Sequence, residues 1–199
     1  MMLIEETTLP DAALPVDRFK AHLRLGTGFD ELSLQDGILS GFLRAAIAAI
    51  EARTGKVLIV RDFSLTLGGW RNPEAQVLPV APVNSVTQVL LDDAGGASVV
   101  VDPDAYWLER DGQRPRLRPR GVFLPAVPAG GAVRIEFAAG MAADWGSLPA
   151  DLGQAVMLLA AHYYEYRDTT ALGEGCMPFG VSSLIQRYRV SRITLGAGS

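Results

Sequence analysis

The side chains best suited to acid–base or nucleophilic chemistry are scarce in this 199-residue chain. There are two histidines, His22 and His162, and one cysteine, Cys176. His162 stands three residues before Glu165, one helical turn, so the two resemble a general base and its orienting carboxylate. No nucleophile or third group is placed beside them, and proximity in sequence alone builds no catalytic site. Cys176 lacks a nearby basic or histidine neighbour that would lower its pKa, so it reads as inert. Asp92-Asp93 and Asp102-Pro103-Asp104 carry too few regularly spaced ligands for a metal loop and read as turn chemistry. Leu25-Gly26-Thr27-Gly28 lacks the lysine and the third glycine of phosphate-binding loops. Arg114, Arg116, Arg118 and Arg120 alternate with Pro115 and Pro119 among them. Extended, they make a basic stripe for a phosphate backbone or an acidic partner. Equally, they are a strand edge or loop defended by charge and proline, which is the reading preferred here.

The elements that would carry these residues follow from hydropathy period. Pro15 opens a short helix to about Leu25, with Phe19, Leu23 and His22 facing inward. Ser33, with Asp36 three residues on, starts a longer helix over 34–54. Leu34, Ile38, Phe42, Ala45, Ala46, Ala49 and Ile50 form its apolar stripe, and Gly55 caps its end. From Val57 to Ala138 the period changes to two, with turn signals at short spacing, and Val57–Val60 through Leu67 reads as the first strand. Pro149 opens a helix to about Asp168 that is apolar on nearly every side. Such a helix must be buried within the chain or against neighbouring subunits. Val181–Tyr188 reads as a short helix and Arg189–Leu195 as a strand. The expected fold is α+β: a small helical bundle core (15–56 and 147–188) interrupted by a mostly antiparallel β insertion (57–140). An extended arm (1–14) precedes it, and a tail (189–199) follows.

Composition narrows function. Apolar residues make up 49%, ample for a core. The longest apolar run, Ala155–Ala161, falls far short of the roughly 18–20 residues of a membrane span. The acidic start is unlike a secretory signal, so synthesis in the cytoplasm is expected. The net charge of −4 divides unevenly, −7 over residues 1–109 and +3 over 110–199. An acidic body is poorly suited to gripping duplex DNA. No cofactor, metal or catalytic group is expected.

The second helical block carries a resemblance. Leu148-Pro149-Ala150-Asp151-Leu152-Gly153-Gln154-Ala155, then Tyr163-Tyr164-Glu165-Tyr166-Arg167, then Pro178-Phe179-Gly180-Val181 through Leu184-Ile185-Gln186-Arg187-Tyr188-Arg189, resemble in order and spacing the head–tail connector (adaptor) proteins of long-tailed phages and gene transfer agents. Lys20 through Arg24, the helix end Ile50-Glu51-Ala52-Arg53-Thr54-Gly55, Leu78-Pro79 with Pro82-Val83, and Phe137-Ala138-Ala139-Gly140 are similar to the subgroup with a β insertion. The resemblance spans about 16–190. It implies a structural protein, not an enzyme. About twelve copies would form a ring under the portal in the neck of a virion or phage-like particle, assembled in the bacterial cytoplasm. The ring would extend the DNA channel without binding DNA specifically, touch no membrane and meet the next tail component, a stopper or tail terminator. On this reading Arg187, Tyr188, Arg189, Arg192, Ile193 and Leu195 dock on the portal. Leu158, Leu159, His162, Tyr163, Tyr166 and Arg167 belong to the core or to contacts between subunits. Two other readings compete: a small ligand- or carbohydrate-binding β module using Trp70, Trp107 and Trp145, and an enzyme built on His162, Glu165 and a nearby tyrosine.

Overall fold

A computed structural model of the chain describes residues 1–24, 32–166 and 177–189. Strand β1 (Met2–Glu5) is followed by helices α1 (Val16–His22) and α2 (Leu32–Thr54). Seven strands come next: β2 (Arg61–Leu67), β3 (Gln76–Val77), β4 (Val83–Asp92), β5 (Ser98–Val100), β6 (Tyr106–Glu109), β7 (Arg116–Pro119) and β8 (Ala132–Ala139). Helices α3 (Ala150–Glu165) and α4 (Phe179–Ile185) close the fold, with a 3₁₀ turn at Gln186–Tyr188. The α+β class expected from the periods is what forms.

The two periods build two apolar cores. In the helical one, α1, α2 and α4 all pack on α3 or on each other. α3 buries Leu152, Ala155, Val156, Met157, Leu159 and Ala160. Its all-round apolar surface is therefore covered largely from within the chain. The stripe of α2 is rotated from the expected one. Leu39, Leu43, Ala46, Ile47 and Ile50 are buried, whereas Ile38 and Ala45 are exposed. Both sets recur every three to four residues, so period alone leaves the phase of the stripe open. His22 is exposed too; Phe19 fills the inward position of α1. Asp36 makes an ion pair with Lys20 of α1 at 2.5 Å, tying the first two helices together.

The β core lies between two sheets, a larger one ordered β1-β2-β8-β4-β5 and a smaller one ordered β3-β7-β6, all antiparallel. β8 alternates strictly, burying Val133, Ile135, Phe137 and Ala139. Phe63 of β2 lies opposite Phe137 and stacks on it with ring centres 5.8 Å apart. Leu117 and Tyr106 of the smaller sheet join the same cluster.

The extended start of the chain has a partner: β1 pairs along β2 and enlarges the main sheet. Two sequence expectations are corrected here. Val57–Val60 is not a strand but a crossover between the layers, making only isolated bridges at Lys56 with Ala81 and Ile59 with Ala142. Val57 enters the β core while Leu58 and Ile59 enter the helical core, so a run apolar on both sides looks like a buried strand. The arginine segment is no sheet edge, since Arg116 and Arg118 lie on β7, the middle strand of its sheet, while Arg114 and Arg120 stand in the loops that flank it.

The layers are joined where α2 ends. Gly55 takes φ +67°, and its N–H bonds to the Glu51 carbonyl at 2.8 Å, closing the helix. Glu51 Oε1 accepts the Leu58 N–H at 2.7 Å, and both its oxygens accept from Arg61 Nη2 at 2.6 and 2.7 Å. Arg61 Nη1 reaches Glu5 of β1 at 2.9 Å. Burial pushes the Glu51 carboxyl up, against the pull of the Leu58 amide and the Arg61 charge. The Arg61 and Glu51 side chains are largely buried, so loss of either leaves an uncompensated charge. Glu51→Gln keeps an acceptor for Leu58 but removes the charge, and should cost about 3 kcal/mol in urea unfolding at neutral pH. A loss below about 1 kcal/mol would mean that Glu5 alone satisfies Arg61.

Candidate functional site

The residues singled out at the C-terminal end converge on the start of α3. Val181 and Ile185 of α4 are buried in the helical core, which fixes where the following turn lies. Tyr188 then donates its hydroxyl to Asp151 Oδ1 at 2.8 Å, and Arg187 Nη2 pairs with Asp151 Oδ2 at 2.8 Å. The Arg187 guanidinium also bonds to the Tyr188 hydroxyl and lies 4.7 Å from its ring centre. Asp151 sits in the first turn of α3, where a carboxylate also suits the helix dipole. Arg189 is exposed, and its backbone is extended as the chain leaves the turn. Arg192, Ile193 and Leu195 lie outside the described residues, as does the expected strand 190–195. Arg187 and Tyr188, both expected to dock on the portal, form a clamp on Asp151, and Arg187 keeps most of its side chain in water.

The α3 set divides along the helix. Leu159 is buried, Leu158, His162 and Tyr163 are half-buried, and Tyr166 is exposed. Arg167 lies outside the described residues. His162 stacks near Tyr166, with ring centres 4.7 Å apart, and its Nε2 is buried without a hydrogen-bond partner. Glu165 is exposed, and the unpartnered His162 Nε2 does not meet it. The pairing that their spacing allows is absent, in line with the preference for a structural histidine. The imidazole reads instead as part of the packing around Tyr163 and Tyr166.

The remaining candidates are dispersed. Trp70 belongs to the β core and donates its indole N–H to the Pro125 carbonyl at 2.7 Å. Trp145 packs against the helical core, and Trp107 is exposed on β6. Three tryptophans in three places line no common site. On β7, Arg116 and Arg118 share Glu109 of β6, and the Arg118 hydrogen bond holds the Glu109 carboxyl below its usual range. Arg114 and Arg120 are exposed. Asp93 accepts the N–H groups of Gly95 and Ala97, both at 2.8 Å, and Asp102 accepts that of Asp104 at 2.9 Å, which is turn chemistry. Cys176 and the segment Leu25–Gly28 lie outside the described residues. Among the described residues no group of three His, Cys, Asp or Glu side chains could hold a metal ion, and no helix is long and apolar enough to cross a membrane.

Sequence reasoning missed the roles of Asp151 and Lys56. Asp151 stands inside the Leu-Pro start of α3, but its partner Tyr188 is 37 residues away. Lys56 is a buried lysine whose Nζ donates to the Gly112 carbonyl and to Gln113 Oε1. Burial lowers its pKa, opposed by Asp111. It pins the β6–β7 turn to the end of α2, a contact no local pattern announces.

No family model and no curated protein matches the chain. Solved structures do. A chain in the neck of an empty gene transfer agent particle, computed with C6 symmetry, is 51% identical over 100% of both chains, with a TM-score of 0.89. A chain in the virion of a native gene transfer agent particle is 50% identical over 98% of this chain and 99% of its own, at 0.85. A third, in the neck of a native particle computed with C12 symmetry, is 46% identical over 100% of both, at 0.84.

The clamp sorts its two contacts by exposure. Arg187 is mostly in water, so Arg187→Ala should change stability by less than about 0.5 kcal/mol. Tyr188→Phe removes a hydrogen bond to a charged, partly buried carboxylate and should cost about 1.5 kcal/mol in thermal unfolding.

Proposed function

We propose that this chain, which belongs to the family of neck proteins of gene transfer agent particles, is their head–tail connector (adaptor) subunit. The observation that carries this reading is the full-length match, at 51% identity, to a chain of a particle neck. The sixfold and twelvefold symmetries of the related neck structures support a ring of this chain, about twelve copies around a DNA channel. In that ring one end faces the portal and the other the next tail component, a stopper or tail terminator. The role is structural rather than catalytic. DNA passes through the channel without being held, as suits a body with net charge −4.

The clamp on Asp151 gives the portal contact a physical form. It delivers the chain, extended at Arg189, from a fixed point at the start of α3. The segment beyond, with Arg189, Arg192, Ile193 and Leu195, has the alternation and charge to add a strand to an exposed sheet edge on the portal. Arg187 and Tyr188 serve this contact by anchoring it rather than by touching the portal.

Native mass measurement with negative-stain imaging, of the protein alone and mixed with its portal, tests the reading. Rings of about twelve subunits in either condition are expected. A chain that stays monomeric and ignores the portal would overturn it. Deleting residues 190–199 leaves Tyr188 and its bond to Asp151 in place. It should abolish portal binding while thermal unfolding stays unchanged; undiminished binding would remove the tail from the contact.

A further inference from the structure

The main sheet has two open ends. β1 pairs only with β2, and β5 only with β4. Every residue of both strands is exposed. A monomeric protein ordinarily protects such edges with lysine, proline, a bulge or a covering loop. Neither strand contains a lysine or a proline, and their exposed residues are mostly apolar: Met2, Leu3 and Ile4 on β1, and Val99 and Val100, 64% and 56% accessible, on β5.

The backbone at the two edges also matches. Glu6 N–H bonds to the Asp62 carbonyl at 2.8 Å, so along β1 the residues that point their backbone groups into the sheet are Met2 and Ile4. Leu3 and Glu5 point theirs outward. Val101 N–H bonds to the Val89 carbonyl at 2.8 Å, and Asp93 N–H to the Ala97 carbonyl at 2.9 Å. By the same alternation Val99 faces β4, while Ser98 and Val100 face outward. Each edge thus offers two outward residues, two apart, with a free donor and acceptor on each. Five antiparallel strands separate the edges inclusively, an odd number, so β1 and β5 run in the same direction.

We propose that β5 of one copy pairs in parallel with β1 of the next, so that the main sheet continues from subunit to subunit around the ring. The proposal rests on the ring reading above and names the surface that makes it. Two different patches on each subunit meet head to tail, the arrangement that a closed ring requires and a twofold dimer does not. The occupant of each edge is a second copy of this chain. A copy carries the complementary edge at the other end of the same sheet, of like length and apolar character.

Two edge-blocked chains test it. Leu3→Pro and Val100→Pro each remove an outward N–H, a position where proline leaves the internal ladder intact. Each variant alone should be monomeric by native mass, with near-ultraviolet circular dichroism unchanged. Mixed one to one, the two should give a dimer and nothing larger, because only one compatible junction remains. Rings from either variant alone, or two folded variants that fail to pair, would overturn the proposal while leaving the connector reading standing. A wild-type chain that forms no ring even with its portal overturns both. Cysteines at Leu3 and Val99, whose side chains lie on the same face of the sheet, keep the test open should either proline variant misfold. With Cys176→Ser, a short bismaleimide should join the doubly substituted chain into a ladder of covalent multimers. The singly substituted chains should stay single on a denaturing gel. Assembled rings that yield no ladder would overturn the proposal.

Discussion

Arg61 is the residue on which the arrangement of the two layers depends. A guanidinium largely removed from water must find carboxylates, and it finds one on each side. Glu51 belongs to the last turn of α2, and Glu5 to the strand that begins the sheet. The same Glu51 carboxylate receives the amide of Leu58, the residue where the chain turns from helix towards sheet. One charge therefore fixes four things at once: the end of α2, the path of the crossover, the first residue of β2 and the placement of β1. Buried ion pairs add little net stability against an apolar alternative, but they are intolerant of being half-made. Any placement of the helices on the sheet that left the Arg61 pairs half-made would carry that cost.

Much of this was legible in the sequence. The run Glu51 to Gly55 reads as a helix end, and Thr54 and Gly55 finish it as their chemistry requires. Thr54 returns its hydroxyl to the Ile50 carbonyl at 2.8 Å, and Gly55 adopts the positive φ. The strict alternation of Ala132–Ala139 gave β8 without ambiguity. Other elements were illegible for specific reasons. Leu58 and Ile59 are apolar because two layers cover them, and a short apolar run does not say whether its cover is sheet or helix. Prolines on either side of Leu117 suggested an edge, yet β3 is only two residues long and asks little of its neighbour. The clamp at Asp151 and the ion pairs of Arg61 join residues far apart in sequence, which only the fold brings together.

The candidate site was legible in a different way. No spacing of residues pointed to chemistry, and the described structure gathers none of the proposed catalytic sets. What the sequence carried was a succession of short motifs, each weak, whose order matched a particle neck. Several of them mark hinges between elements: the Leu-Pro before α3, the Thr-Gly after α2, the glycine after β8. Such positions hold the layers in register. Assembly proteins depend on that register, because a small error in one subunit is repeated at every junction.

Gly140 shows how closely the layers meet. A Cβ there would lie 2.4 Å from the Val60 backbone, so only glycine fits. Val60 is the last residue before β2, and Gly140 the first after β8. The segment from β2 to β8 therefore begins and ends at a single narrow gate, with its two gateposts in contact, and only β1 joins the sheet from outside it. A segment whose ends touch can be exchanged, lengthened or lost by recombination without parting the helices on either side.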